Sequence, residues 1–134
     1  MDHPPYESEI YSPYMVRAIA ARISKWCEEL KIGTVACTGI SGLGMAAPLS
    51  AIHDLKLIIV RYRMGRTSVE GPHDHGTGPY AIVDDLISSG YTVDRIVSSV
   101  HEVAPELHPA AIFLYHSGYD HSTYKSIPVF YVGA

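Results

Sequence analysis

Apolar residues recur along this chain in two alternating rhythms, one helical and one of short buried runs. Val16, Ile19, Ala20, Ile23, Cys27 and Leu30 fall on one face of a helix. Ser12-Pro13 supplies its start, a capping hydroxyl followed by proline at the first helical position, and Gly33 is expected to stop it. Residues 34–38 form a short β-rich run and residues 39–44 a glycine-rich turn. Residues 45–53 then read as a second helix, with Pro48 tolerable only in its first turn. Residues 57–61, 80–84, 110–115 and 128–132 are compact apolar runs of strand length. Val93, Ile96, Val97 and Val100 mark the face of another helix. From Tyr62 onward the apolar run is broken by Arg63 and Gly65. Residues 62–79 show no period and hold Gly65, Gly71, Gly76 and Gly78, so they read as a long pliable loop.

Strands separated by helices predict an α/β fold with a mostly parallel central sheet of about five strands flanked by helices. The 134 residues suit a single domain over 1–134, with the proline-bearing residues 1–11 as a loosely ordered arm.

Composition trims the functional classes. Hydrophobic residues make up 47% of the chain and charged ones 18%, which supports a real core. A net charge of −4 argues against non-specific nucleic-acid binding, which needs a positive surface. No apolar run reaches membrane-spanning length and no signal-peptide pattern opens the chain, so no membrane partner is expected. Cys27 and Cys37, on a helix face and in a strand, read as buried free thiols, in keeping with a cytoplasmic location.

The chemistry is densest in residues 81–92. An apolar strand ends in Asp84-Asp85, a turn rich in hydroxyls and glycine follows (Ser88, Ser89, Gly90, Thr92), and a helix begins near Tyr91. A helix start leaves its first N–H groups unpaired and carries partial positive charge, so it receives a phosphate dianion without a lysine. The aspartates repel phosphate but accept hydrogen bonds from vicinal ribose hydroxyls, or orient water on Mg²⁺, an oxygen-seeking ion. A 5-phosphorylated ribose needs both features at once. The plainer alternative is a strand-end cap followed by an ordinary helix N-cap. The loop Gly39-Ile40-Ser41-Gly42-Leu43-Gly44 matches neither the serine-hydrolase elbow nor the dinucleotide fingerprint. Ligands of parallel sheets bind at the carboxyl ends of strands. Thr38–Gly42, Arg61, Asp84-Asp85 and Tyr115-His116 all stand at such ends.

Val83-Asp84-Asp85-Leu86-Ile87-Ser88-Ser89-Gly90-Tyr91-Thr92 resembles the phosphoribosyl-pyrophosphate signature of type I phosphoribosyltransferases, with Tyr91 where the family usually has a small residue or arginine. The resemblance implies a Mg²⁺-dependent transfer of ribosyl 5-phosphate from phosphoribosyl pyrophosphate to a nucleobase, of purine or orotate type. Pyrophosphate leaves, as in nucleotide salvage. Asp84 and Asp85 would be the catalytic acids beneath the sugar and, through water, the metal contacts. Ser88, Ser89, Gly90, Tyr91 and Thr92 would hold the 5-phosphate. Gly39, Ile40, Ser41 and Gly42 would hold pyrophosphate through backbone N–H groups, helped by Arg61. Residues 62–79 would be the mobile loop between core strands two and three that closes over the reaction, bearing Arg63, His73 and His75. A small hood from the C-terminal segments would hold the base, with Tyr119, Phe130 and Tyr131 as candidates; core packing is the default for the last two. Dimerisation is common in the family, so a homodimer is a further expectation. The alternative is a non-catalytic regulatory domain that binds phosphoribosyl pyrophosphate or a nucleotide.

Overall fold

The computed structural model describes residues 12–71, 76–117 and 119–133. The expected N-terminal arm (residues 1–11) and the loop histidines His73 and His75 lie outside the described residues.

Helix α1 (Pro13–Leu30) begins as the sequence indicates. Ser12 is extended and its hydroxyl accepts the Met15 N–H at 3.3 Å, while Pro13 occupies the first turn. Ile19, Ala20, Ile23 and Cys27 form its buried face. Its stop is Lys31 rather than the expected Gly33. Lys31 takes the left-handed conformation (φ 58°) and donates its N–H to the carbonyls of Cys27 and Glu28.

Strand β1 (Thr34–Cys37) is buried along its whole length. The expected turn over residues 39–44 is instead the opening of helix α2 (Gly39–His53). The reversal is compressed into extended Thr38 and Gly39, whose φ is +70°. Gly42 serves packing: a Cβ there would lie 2.9 Å from the Cβ of Cys37 and 3.0 Å from the carbonyl oxygen of Val83. Its bare backbone lets α2 settle onto the sheet. Pro48 consequently falls inside the helix, not in its first turn.

Strand β2 (Lys56–Arg63) is longer than its apolar run and returns antiparallel as β3 (Arg66–Glu70). Met64 and Gly65, both at positive φ (50° and 76°), make the two-residue turn whose twist suits a hairpin. Much of the segment expected to be a long loop is therefore ordered strand. Its period was hidden because β3 is exposed on nearly every residue. Strand β4 (Gly78–Asp84), helix α3 (Tyr91–Val103), strand β5 (Leu107–Leu114) and a terminal hairpin of β6 (Thr123–Tyr124) and β7 (Ile127–Tyr131) complete the described chain.

Among the described residues the single α/β domain carries one seven-stranded sheet, in the order β3-β2-β1-β4-β5-β7-β6: the five expected strands with the short strands β3 and β6 added at the edges. The β2-β1-β4-β5-β7 core is parallel, and an antiparallel hairpin closes each edge. Side chains alternate between two apolar layers. Val35, Cys37, Ala81, Val83 and Phe113 pack with α1 and α2. Ala36, Ile58, Ile82, Ile112 and Leu114 pack with Ile96 and Val100 of α3. A sheet covered on both faces needs apolar residues at both parities, which is why its strands read as unbroken apolar runs.

Candidate active site

Strand β4 carries Asp84 to the carboxyl edge of the sheet and leaves it 7% exposed, with Asp85 half-buried beside it. One oxygen of each carboxylate is held by the next backbone N–H: Asp85 N–H to Asp84 Oδ1 at 2.9 Å, and Leu86 N–H to Asp85 Oδ1 at 2.8 Å. The carbonyls of this turn are clamped from the other side. Tyr115 N–H donates to the Asp84 carbonyl at 3.3 Å, and His116 and Ser117 N–H groups donate to that of Asp85 at 3.0 and 3.3 Å. Burial pushes the Asp84 carboxyl up to about 7. The N–H of Asp85 and the Ser41 hydroxyl oppose that shift, and the neighbouring Asp85 carboxylate adds to it.

After the acids the chain crosses Leu86 and Ile87 and reaches Gly90, the cap of α3, at φ +84°. The Ser89 hydroxyl accepts the Tyr91 N–H at 3.3 Å. Acid turn and helix tip enclose one cavity of about 270 Å³. Asp84, Asp85, Ser88, Ser89, Gly90 and Thr92 line it, together with Thr38, Gly39 and Ser41 from the start of α2. Two acids, the hydroxyl-bearing residues Ser88, Ser89 and Thr92 and a helix N-terminus thus share a space suited to a small phosphorylated polyol.

The Tyr91 side chain does not line that cavity; it is exposed and its ring lies 4.4 Å from the Arg95 guanidinium, which also lies 4.2 Å from the ring of Tyr62 in β2. Gly42, in the first turn of α2, is buried against the sheet and likewise does not line it. Ile40 is exposed and lines a neighbouring recess of about 330 Å³ with Leu43, Ile59, Arg61 and Glu70. Gly39 lines both spaces. Arg61 stands within β2 opposite Ser68, not at a strand end, and its guanidinium meets the Glu70 carboxylate at 3.3 Å. Arg63 pairs with Arg66 beside the hairpin turn.

The three base candidates lie elsewhere. Phe130 stacks on Trp26 (centroids 4.5 Å apart) and Phe113 (5.6 Å) in the α1 layer, the core role that was its default. Tyr119 meets His121 and Tyr124 edge-on. Tyr131 is exposed and donates its hydroxyl to the His116 carbonyl at 3.4 Å. Among the described residues no group of three or more His, Cys, Asp or Glu side chains is placed to hold a metal ion, so Asp84 and Asp85 are the acidic pair available at this edge. Cys27 and Cys37 are buried free thiols, as expected.

Thr38 and Tyr115, which the sequence marks only as strand ends, make contacts that it does not indicate. Thr38 lines the cavity while its hydroxyl donates to the Val60 carbonyl, and the Tyr115 hydroxyl donates to the Ser41 carbonyl. Both tie the first turn of α2 to neighbouring strands. Their signal was only a polar residue at a strand end.

No family model matches the chain. It is 24% identical over 123 residues to the hypoxanthine/guanine phosphoribosyltransferase of Methanopyrus kandleri, covering 81% of this chain and 66% of that protein. The chain therefore spans just under two thirds of that relative's length. Among solved structures, the orotate phosphoribosyltransferase of Aeropyrum pernix superposes with a TM-score of 0.71 at 16% identity, over 91% of this chain and 72% of the other. UMP synthase of Leishmania donovani gives 0.72 at 19% identity, over 92% of this chain and 28% of the other. Adenine phosphoribosyltransferase of Saccharomyces cerevisiae gives 0.65 at 15%, over 90% and 80%. The fold is that of the type I phosphoribosyltransferases. The chain resembles that family in sequence as well, across most of its length rather than in one motif alone.

Proposed function

We propose that this chain is a Mg²⁺-dependent phosphoribosyltransferase that moves ribosyl 5-phosphate from phosphoribosyl pyrophosphate to a purine or orotate-type base and releases pyrophosphate. The observation that carries this reading is the cavity whose lining brings Asp84 and Asp85 together with Ser88, Ser89, Gly90 and Thr92. The names of the similar proteins support the reaction class.

In this reading the first N–H groups of α3 and the hydroxyls of Ser88, Ser89 and Thr92 hold the 5-phosphate. The two carboxylates accept from the ribose hydroxyls. As the bond to pyrophosphate breaks, positive charge develops on the sugar, and preorganised carboxylates beneath it lower the barrier electrostatically. Backbone N–H groups at Gly39, Ile40 and Ser41 receive the pyrophosphate, while Gly42, buried against the sheet, sets the approach of α2. Arg61 reaches it only by exchanging its Glu70 partner for phosphate oxygens, a swap favoured by bidentate geometry. The donor set fits Mg²⁺, which takes one or two carboxylates and fills its remaining positions with water and substrate oxygens. The burial that holds Asp84 partly protonated is the condition a nearby cation relieves. When bound, the ion would neutralise charge on the leaving group.

The two free thiols suit a reducing cytoplasm, and no helix of the described residues is long and apolar enough to cross a membrane.

The test is incubation with Mg²⁺, phosphoribosyl pyrophosphate and each common nucleobase in turn. Pyrophosphate release with one base is expected. Tight binding of the sugar without release across the panel would replace the transferase with a sensor.

A further inference from the structure

Asp94 lies in the first turn of α3, directly after Val93, which lines the candidate phosphate cavity. An acid there stabilises the helix through its dipole, yet the same charge opposes any anion held at that end. The terminal hairpin answers it with two side chains. The Tyr124 hydroxyl donates to Asp94 Oδ1 at 2.9 Å and approaches the Gly90 carbonyl at 3.3 Å. Lys125 Nζ stands 3.1 Å from Asp94 Oδ2. Lys125 and Ser126 adopt φ of 46° and 71°, so the tight turn of the hairpin itself delivers this pair to the helix tip. Gly90 must be glycine for the contact to exist, because a Cβ there would collide with the Tyr124 ring and hydroxyl. The Tyr124 hydroxyl first, and then Lys125, hold the Asp94 carboxyl below its ordinary range.

We propose that Tyr124 and Lys125 are positioning residues that neutralise Asp94 and thereby keep the tip of α3 attractive to the ligand's 5-phosphate. The inference rests on the phosphoribosyl reading of the cavity. It differs from a latch that merely holds the hairpin, because it predicts effects of opposite sign at the two ends of one ion pair. Loss of the lysine exposes the phosphate to an unscreened carboxylate. Loss of the carboxylate removes the repulsion, and Asn at this position still accepts the Tyr124 hydroxyl.

The experiment is calorimetric titration of the full chain with phosphoribosyl pyrophosphate and Mg²⁺, at about 0.01 M and about 1 M salt, where screening lengths differ roughly tenfold. Lys125→Met should weaken binding roughly threefold at low salt and little at high salt, the scale of an exposed charge. Asp94→Asn should bind as tightly as the parent or more so. The double variant Asp94→Asn/Lys125→Met should return to within about twofold of the parent. A double variant as weak as Lys125→Met alone would overturn the proposal, since the lysine would then touch the ligand or simply brace the hairpin. Lys125→Met binding like the parent at low salt would overturn it too. Thermal melts of each variant separate loss of folding from loss of affinity. A parent that binds no phosphoribosyl pyrophosphate defeats the reading of the cavity and this inference with it. A parent that binds while the variants fail these signs defeats the inference alone.

Discussion

The Tyr115 hydroxyl donates to the carbonyl of Ser41, so a side chain just past the end of β5 holds the first turn of α2 across the sheet edge. Tyr115 is 2% exposed, and its own N–H is bound to Asp84. One residue thus couples the loop assigned to pyrophosphate and the turn assigned to the ribose.

Tyr115→Phe keeps the packing and removes that donor. We expect a loss of about 1 kcal/mol in urea unfolding, the usual scale of one buried hydrogen bond. We also expect a rise in KM for phosphoribosyl pyrophosphate that exceeds any fall in kcat, measured by initial rates over a sugar titration.

Asp84 gives a pH dependence with a definite sign. Its folded carboxyl titrates at about 7, above the ~3.9 of an unfolded chain, so between those values the native state binds the extra proton. Stability of the ligand-free protein should therefore fall as pH rises from about 4 to 7, by at most about 1.4 kcal/mol per pH unit, and level off above. Asp84→Asn should flatten this slope and raise stability at pH 8. Denaturant midpoints across the range decide the matter.

Asp85 is half-buried, lines the same cavity and has one oxygen already held by the Leu86 N–H. Asp85→Asn should fold normally and lose much of the rise in melting temperature that phosphoribosyl pyrophosphate with Mg²⁺ produces. An unchanged thermal shift would count against its contact with the ribose.

Gly90 combines a positive φ with the close approach of Tyr124. Gly90→Ala should destabilise by about 1–2 kcal/mol from backbone strain alone, and further from the collision. Adding Tyr124→Ala should recover the second part and not the first, which a double-mutant cycle in denaturant separates.

Cys27 and Cys37 are buried, and desolvation pushes both thiols up to about 12. Neither should react with a thiol reagent at pH 8 until the protein unfolds. Rapid labelling of the native chain would show that the two layers open.

The strand-acid-turn-helix run of residues 81–92 was legible because it is contiguous: the apolar strand stops, the acids follow and the glycine appears within a few positions. What stayed hidden depends on contacts far apart in sequence. The glycines at 39–44 read as a turn, yet Gly42 is needed because helix α2 lies against Cys37 and Val83. Arg61 read as a strand end because Tyr62 and Arg63 are polar or amphipathic, yet both continue β2 past the end of β1, where β3 pairs with it. The turn at Met64-Gly65 lacks the Asn or Asp that usually announces such a hairpin. Phe130 presents the converse case: an aromatic in a late strand suits a base or a core equally until Trp26 is seen against it.

Where a pocket wall is peptide groups held by a reversed glycine and a helix tip, the side chains that project from it are free to drift. Ile40 and Tyr91 project outward from that wall, and both stand largely in solvent. An architecture of this kind keeps its shape while its spelling wanders, so likeness to its kin survives in the trace of the chain long after it has faded from the letters.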